Sequence, residues 1–306
     1  MSQPQQQVFS LPGDRQLAAT VWRKPNAPVL LALHGWLDNC ASFNQLAPQL
    51  NATVVAIDLA GHGHSYHRPA YSAYHLWDDL SDVRDILGAL GLSEVGLLGH
   101  SRGAIVSALF AATYPECVEQ LLLIDGLLPE PVQAADAPAQ MRKAVDSLGK
   151  EAARSFPVYS SVEAAANVRL QGMFPLSPEA ALEIAGRGTR PVAGGVSWRV
   201  DPKLLAPSMV KLSAQQTDAF ANAIKAPTTL VLASEGMPKL FPGFARVLSN
   251  LPHIEQHFFE GSHHLHMEAQ AADVARLFNQ KIAAQVASGK ACCVSDVIFQ
   301  STAEPV

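Results

Sequence analysis

The sequence is short of charge, of cysteine and of long apolar runs, and each shortage excludes something. Only 16% of its 306 residues are Asp, Glu, Lys or Arg, and the net charge is −5. No block of Lys and Arg interrupts that balance, so no nucleic-acid partner is expected. The four cysteines are Cys40, Cys117 and the adjacent pair Cys292-Cys293, with no C-x-x-C spacing. That excludes a disulfide scaffold and fits a reducing, cytoplasmic compartment. Apolar runs such as Leu121 to Ile124 are far too short for a bilayer, so no stable membrane insertion is expected. The opening Met-Ser-Gln-Pro-Gln-Gln-Gln lacks a charged segment leading into an apolar one and does not read as a signal peptide. No internal repeat is present. Hydrophobic residues make up 48% of the chain, enough for one large core and an inserted subdomain.

Patterning supplies the organisation. Val8 to Leu11 and Gln16 to Trp22 flank Pro12-Gly13-Asp14-Arg15 and predict an antiparallel hairpin. Val29 to Leu33, Thr53 to Ile57, Glu94 to Leu98 and Glu119 to Ile124 are short apolar runs, as buried parallel strands require. Between them, Ser42 is a candidate cap for a helix reaching Leu50. Leu76, Leu80, Val83, Leu87 and Leu90 mark one face of a helix that Gly91 ends. Strands alternating with helices predict βαβ units in a mostly parallel, doubly wound α/β sheet.

The alternation stops near Pro129. Repeated prolines and short helical pieces, with no convincing strand, fill the chain to about Ala226. A loop that long is rare, so residues 129–226 are expected to form a helical cap. The core comprises residues 1–128 and 227–290, and 291–306 form a loose tail. The strand pattern resumes at Thr228 to Ala233. A helix follows from about Lys239 to Asn250, then a strand at Glu255 to Phe259 and an amphipathic helix from about Ala269.

One stretch points to chemistry. Gly99-His100-Ser101-Arg102-Gly103 follows a predicted strand and opens a predicted helix. Strand, G-x-S-x-G, helix is the context of a nucleophile elbow. Small neighbours allow the sharp turn, and a helix N-terminus favours developing negative charge. In open parallel sheets, sites form beyond the carboxyl ends of the strands. His34-Gly35-Trp36, Ser101, Asp125 and the loop Ser262-His263-His264-Leu265-His266 all fall there.

Taken together, these motifs resemble the α/β-hydrolase superfamily over nearly the whole chain. His34-Gly35-Trp36-Leu37-Asp38-Asn39 with Ser42-Phe43 resembles, more narrowly, the serine hydrolase-like proteins. The resemblance implies Ser101 as nucleophile and His263 as base, with His264 and His266 as packing histidines. It implies an acid that is either Asp125 or Glu235. Many relatives place the acid in a Gly-x-x-Asp pattern after the strand at Leu230, where this chain has Ser234-Glu235-Gly236-Met237. Asp125, which ends the strand after the elbow, is the preferred acid. The backbone N–H groups of Trp36 and Arg102 would form the oxyanion hole. Asp58, His62 and Ser65 match an architectural loop.

Serine at the nucleophile argues against dehalogenase and epoxide-hydrolase chemistry, which needs a carboxylate. The spacing His62-x-His64-x-x-His67, joined by the late histidines, could suggest a metal site. Tyr66 stands where that motif needs aspartate. The expected activity is hydrolysis of a small-molecule acyl ester through an acyl-enzyme, without metal or organic cofactor. The same machinery serves thioesters and C–C bonds, and a silent ligand-binding member of the fold is the non-enzymatic alternative. Phe156, Met173, Phe174 and Trp198 are candidates for an acyl pocket.

Overall fold

Eight strands form one sheet in the order β1-β2-β4-β3-β5-β6-β9-β10. They are β1 (Gln5–Leu11), β2 (Arg15–Trp22), β3 (Val29–Leu33), β4 (Thr53–Ile57), β5 (Val95–His100), β6 (Val118–Ile124), β9 (Thr228–Glu235) and β10 (Glu255–Ser262). The structure, a computed structural model, describes residues 3–289 other than 242, 243, 245, 246, 249, 250, 252 and 253. The tail after Gly289 and much of the helix expected over Lys239 to Asn250 lie outside the described residues.

β1 and β2 form the expected hairpin, and β2 runs antiparallel to β4. The remaining pairs are parallel. The central strands β3 to β6 are buried along their length and largely apolar because both faces are covered. In β3, Leu31 and Leu33 face one layer, with Val83, Leu87 and Phe110. Leu30 and Ala32 face the other, with Phe43, Val274 and Phe278. The first layer holds α1 (Leu76–Leu90) and α2 (Arg102–Thr113), and the second holds the helix Ala271–Ala287. Asp78 closes a capping box with His75 at the start of α1, and Gly91 ends it at φ 68°. Among the described residues, no helix is long and apolar enough to cross a membrane.

Two local expectations fail. The helix from Ser42 to Leu50 is two 3-10 turns, Cys40–Phe43 and Ala47–Gln49. Asn39 caps the first through the Ala41 N–H, and Pro48 breaks continuity before the second. The segment after β6 also contains strands. It holds α3 (Ala137–Ala152), α4 (Val162–Ala166), α5 (Pro178–Gly188) and α6 (Ala214–Ala223), and between α5 and α6 the hairpin β7 (Thr189–Val192) and β8 (Gly195–Trp198). These strands are too short for alternation to register, and the turn needs Gly194 at φ 88°. Leu176, Ala180, Ala181, Ile184 and Ala185 form a small separate core there, closed by Met267 from beyond β10.

Candidate active site

β5 ends at His100 and α2 begins at Arg102, which leaves Ser101 alone on the turn. Its backbone sits at φ 51°, ψ −113°, a conformation that non-glycine residues rarely hold. Close packing enforces it. A Cβ on Gly103 would lie 1.9 Å from the Leu33 carbonyl oxygen, so only glycine lets α2 approach β3 there. The Ser101 N–H donates to the Ile124 carbonyl at 2.9 Å, fixing the turn against β6.

Asp125 follows directly after β6, also at positive φ, 44°. Its carboxylate is fully buried. Oδ1 accepts from the Ala233 N–H at 3.1 Å, and Oδ2 accepts from the Met237 N–H at 2.8 Å. Oδ2 also accepts from Nδ1 of His263 at 2.6 Å. Ala233, near the end of β9, and Met237, in the turn after it where many relatives keep the acid, thus donate one N–H each to Asp125 instead. Glu235 points away to solvent and pairs with Lys239. Ser101 and His263 line one cavity of about 170 Å³, together with Asp38, His100, Arg169, Met173 and Phe174.

Burial pushes the His263 pKa below its ordinary value, and the Asp125 hydrogen bond only partly opposes this. At neutral pH the imidazole is therefore neutral, with Nδ1–H on Asp125 and Nε2 bearing the lone pair. The Phe174 ring stacks on His263, with centroids 3.9 Å apart and planes inclined by 27°.

A second cavity, of about 290 Å³, opens from Ser101 and is mainly apolar. Trp77, Ile105, Leu109, Val210, Met237 and Phe241 line it. Phe174 and Trp36 reach both cavities. Of the other expected pocket residues, Met173 lines the smaller cavity, whereas Trp198 packs on the small core of the insertion. Phe156 offers its carbonyl to Ser197. Trp36 lies on the loop after β3 and Arg102 in the first turn of α2, whose leading N–H groups have no partner within the helix. The Arg102 side chain is turned away, onto Asp79 at 2.5 Å.

The loop around Asp58 is fully engaged. Its carboxylate accepts from the Cys40 and His64 N–H groups, each at 2.8 Å, and pairs with Arg187. Ser65 donates to the Asp58 carbonyl at 2.6 Å. His62 accepts from the Leu37 N–H and donates to the Ala60 carbonyl. His62, His64 and His67 do not converge as a set of metal ligands among the described residues.

Three features have little or no signal in the sequence. Arg169, from the insertion, donates to the Leu37 carbonyl at 2.7 Å and to Asp38 Oδ1 at 2.6 Å, clamping the loop that presents Trp36. Phe174 was expected in the pocket, but its stacking on His263 was not. His100, beside the nucleophile, donates from Nε2 to the His263 carbonyl at 3.0 Å and so supports the histidine loop.

A doubly wound sheet, a strained serine after its fifth strand and a buried aspartate–histidine pair define the α/β-hydrolase class. The family model of the alpha/beta hydrolase fold matches residues 28–270, and the chain belongs to that superfamily. Within it, the chain is 32% identical over 266 residues to the serine hydrolase-like protein of Danio rerio, covering 82% of this chain and 81% of the relative. It is 30% identical to a probable serine hydrolase of Drosophila melanogaster, over 80% of this chain and 78% of that one. A solved structure of a hypothetical protein from Pseudomonas aeruginosa matches with a TM-score of 0.86 and 41% identity, over 91% of this chain and 99% of that one. A thioesterase domain from the curacin biosynthetic pathway matches with a TM-score of 0.79 and 26% identity, over 90% and 100%. The fold and family expected from the motifs are those found, and the chain is an enzyme of the hydrolase class.

Proposed function

We propose that this hydrolase cleaves carboxylic ester-type bonds of small molecules through Ser101, His263 and Asp125. The observation that carries the reading is the 2.6 Å hydrogen bond from His263 Nδ1 to a buried Asp125, in the cavity that Ser101 enters from a strained turn. His263 Nε2 takes the hydroxyl proton as Ser101 Oγ attacks the acyl carbon. Asp125 stabilises the imidazolium that forms. The N–H groups of Trp36 and Arg102 hold the oxyanion, a role in which one lost donor costs roughly 3–4 kcal/mol. His263 then protonates the leaving alkoxide, and the acyl group stays on Ser101. Water, deprotonated by His263, attacks the acyl-enzyme and releases the acid.

The apolar cavity from Ser101 suits the acyl chain. Residues 169–174 and 208–212 of the insertion line the two cavities, which supports a cap that selects the substrate. A thioester is the second reading, favoured by the likeness to the thioesterase domain. Cys40 and Cys117 are buried free thiols, in keeping with a cytoplasmic setting.

Reaction of the purified chain with a fluorophosphonate, read by intact mass, tests the proposal. A single adduct on the parent and none on folded Ser101→Ala is expected. Equal labelling of both, or equal ester turnover, would overturn it.

A further inference from the structure

Beside the proposed triad lies a second group of side chains that hydrolysis leaves unexplained. Asp38 Oδ2, a nitrogen of His100 and a nitrogen of His264 lie within 4.8 Å of one another, and all three residues are buried. Asp38 Oδ2 is 3.7 Å from His100 Nδ1 and accepts from His264 Nε2–H at 3.2 Å, a proton that a bound ion would displace. Around a tetrahedral zinc ion, ligand atoms stand ~3.3 Å apart, given zinc–nitrogen bonds of ~2.0–2.1 Å.

The His100 tautomer favours a cation. His100 donates from Nε2 to the His263 carbonyl, so its neutral ring has a lone pair on Nδ1. That nitrogen is buried without a hydrogen-bond partner and faces a carboxylate oxygen. Lone pair against lone pair is repulsive, and a metal ion between them removes the conflict.

Two of the three ligands, His100 and Asp38, have the supporting bonds that ligands need, while His264 Nδ1 is buried without a partner. A ligating histidine ordinarily donates its other N–H to a carbonyl, as His100 does, and a ligating carboxylate is itself hydrogen-bonded, as Asp38 is by Arg169. The 170 Å³ cavity touches all three residues, giving an entry route and an open position for water.

We infer that Asp38, His100 and His264 form a binding site for a divalent transition-metal ion of the zinc type, and that occupancy inhibits the hydrolase. The His263 ring centroid lies 4.7 Å from that of His100 and 5.0 Å from that of His264. A dication there opposes the positive charge that His263 must acquire. Inhibition therefore rests on His263 being the base, whereas binding does not.

Calorimetric titration of the full chain with zinc, in a Cys292→Ser/Cys293→Ser background, tests binding directly. One ion per chain is expected, with affinity falling at least tenfold in His100→Gln and in His264→Gln. Cobalt should give visible d–d bands without a thiolate charge-transfer band, a readout on the parent that needs no variant to fold. Ester turnover should fall in step with occupancy and return with chelator. No stoichiometric ion, affinity unchanged in both folded variants, or a thiolate band would overturn the site. Stoichiometric zinc with undiminished turnover would overturn the inhibition, while the fluorophosphonate adduct on Ser101 tests the triad separately.

Discussion

Asp125→Asn tests the proposed triad at the group whose geometry is most constrained. The native carboxylate accepts three hydrogen bonds and donates none. They come from Ala233 N–H at 3.1 Å, Met237 N–H at 2.8 Å and His263 Nδ1–H at 2.6 Å. An amide has one oxygen and one NH₂. With the oxygen toward His263 and Met237, the NH₂ faces the Ala233 N–H, donor against donor. With the amide reversed, the NH₂ meets the Met237 N–H and forces His263 to accept at Nδ1. Its proton then moves to Nε2, where it blocks proton transfer from Ser101. Neither orientation is satisfied, so stability should fall by about 1–3 kcal/mol, the cost of a buried unpaired polar group. Loss of the correct tautomer and of the anion should lower kcat about 10⁴-fold, or ~5 kcal/mol of transition-state stabilisation. The assay is steady-state turnover of a chromogenic ester, with thermal unfolding in parallel. Glu235→Gln, at an exposed side chain, is the control and should stay within twofold. Asp125→Asn within tenfold of the parent would refute the assignment, the more so if Glu235→Gln were crippled.

Phe174→Ala should raise KM for longer acyl chains roughly 3–10-fold, the worth of a lost aromatic contact at the mouth of the apolar cavity. It also uncovers His263, so the acidic limb of kcat/KM should move to higher pH, toward the ordinary value of 6.5; a limb that stays put would contradict the burial argument. Arg169→Ala should cut kcat by ~10-fold or more by loosening the loop before Trp36, and Arg169→Lys should not restore it, because one ammonium cannot match the two-pronged grip on Leu37 and Asp38. Acid should destabilise the fold early. Burial pushes His266 down to about 3, and His34, His62 and His100 in the same direction. The unfolded chain therefore takes up protons near 6.5 while the folded one does not, so stability is full above that pH and falls below it. His266 alone should cost on the order of 2 kcal/mol by about pH 5. Equal denaturant midpoints at pH 7.5 and 5 would refute this.

The central strands were legible because they are buried on both faces and read as largely apolar runs between turn signals. The hairpin of β7 and β8 was not, since four residues hardly display an alternation. Ser101 could be found from its neighbours because glycine is the only residue that fits at 103. The position of Asp125 was legible, but its partners were not: the N–H groups of Ala233 and Met237 carry no side-chain signature. Arg169 was invisible for a different reason. It comes from the insertion, and nothing local says where a segment separated from Asp38 by more than a hundred residues will dock.

The pairing of Asp58 with Arg187 bears on how such proteins can diversify. A carboxylate with no exposed surface in the core takes its countercharge from α5, whose Arg187 Nε lies 2.9 Å from one carboxylate oxygen and 3.0 Å from the other. Excising residues 129–226, or grafting another protein's segment in their place, would strand that charge at a cost of about 3–5 kcal/mol. The core and its insertion are thus not freely interchangeable parts. A successful chimaera must bring an arginine to the same point or surrender the aspartate with it, so swaps intended to alter specificity inherit a two-residue constraint far from the serine in sequence.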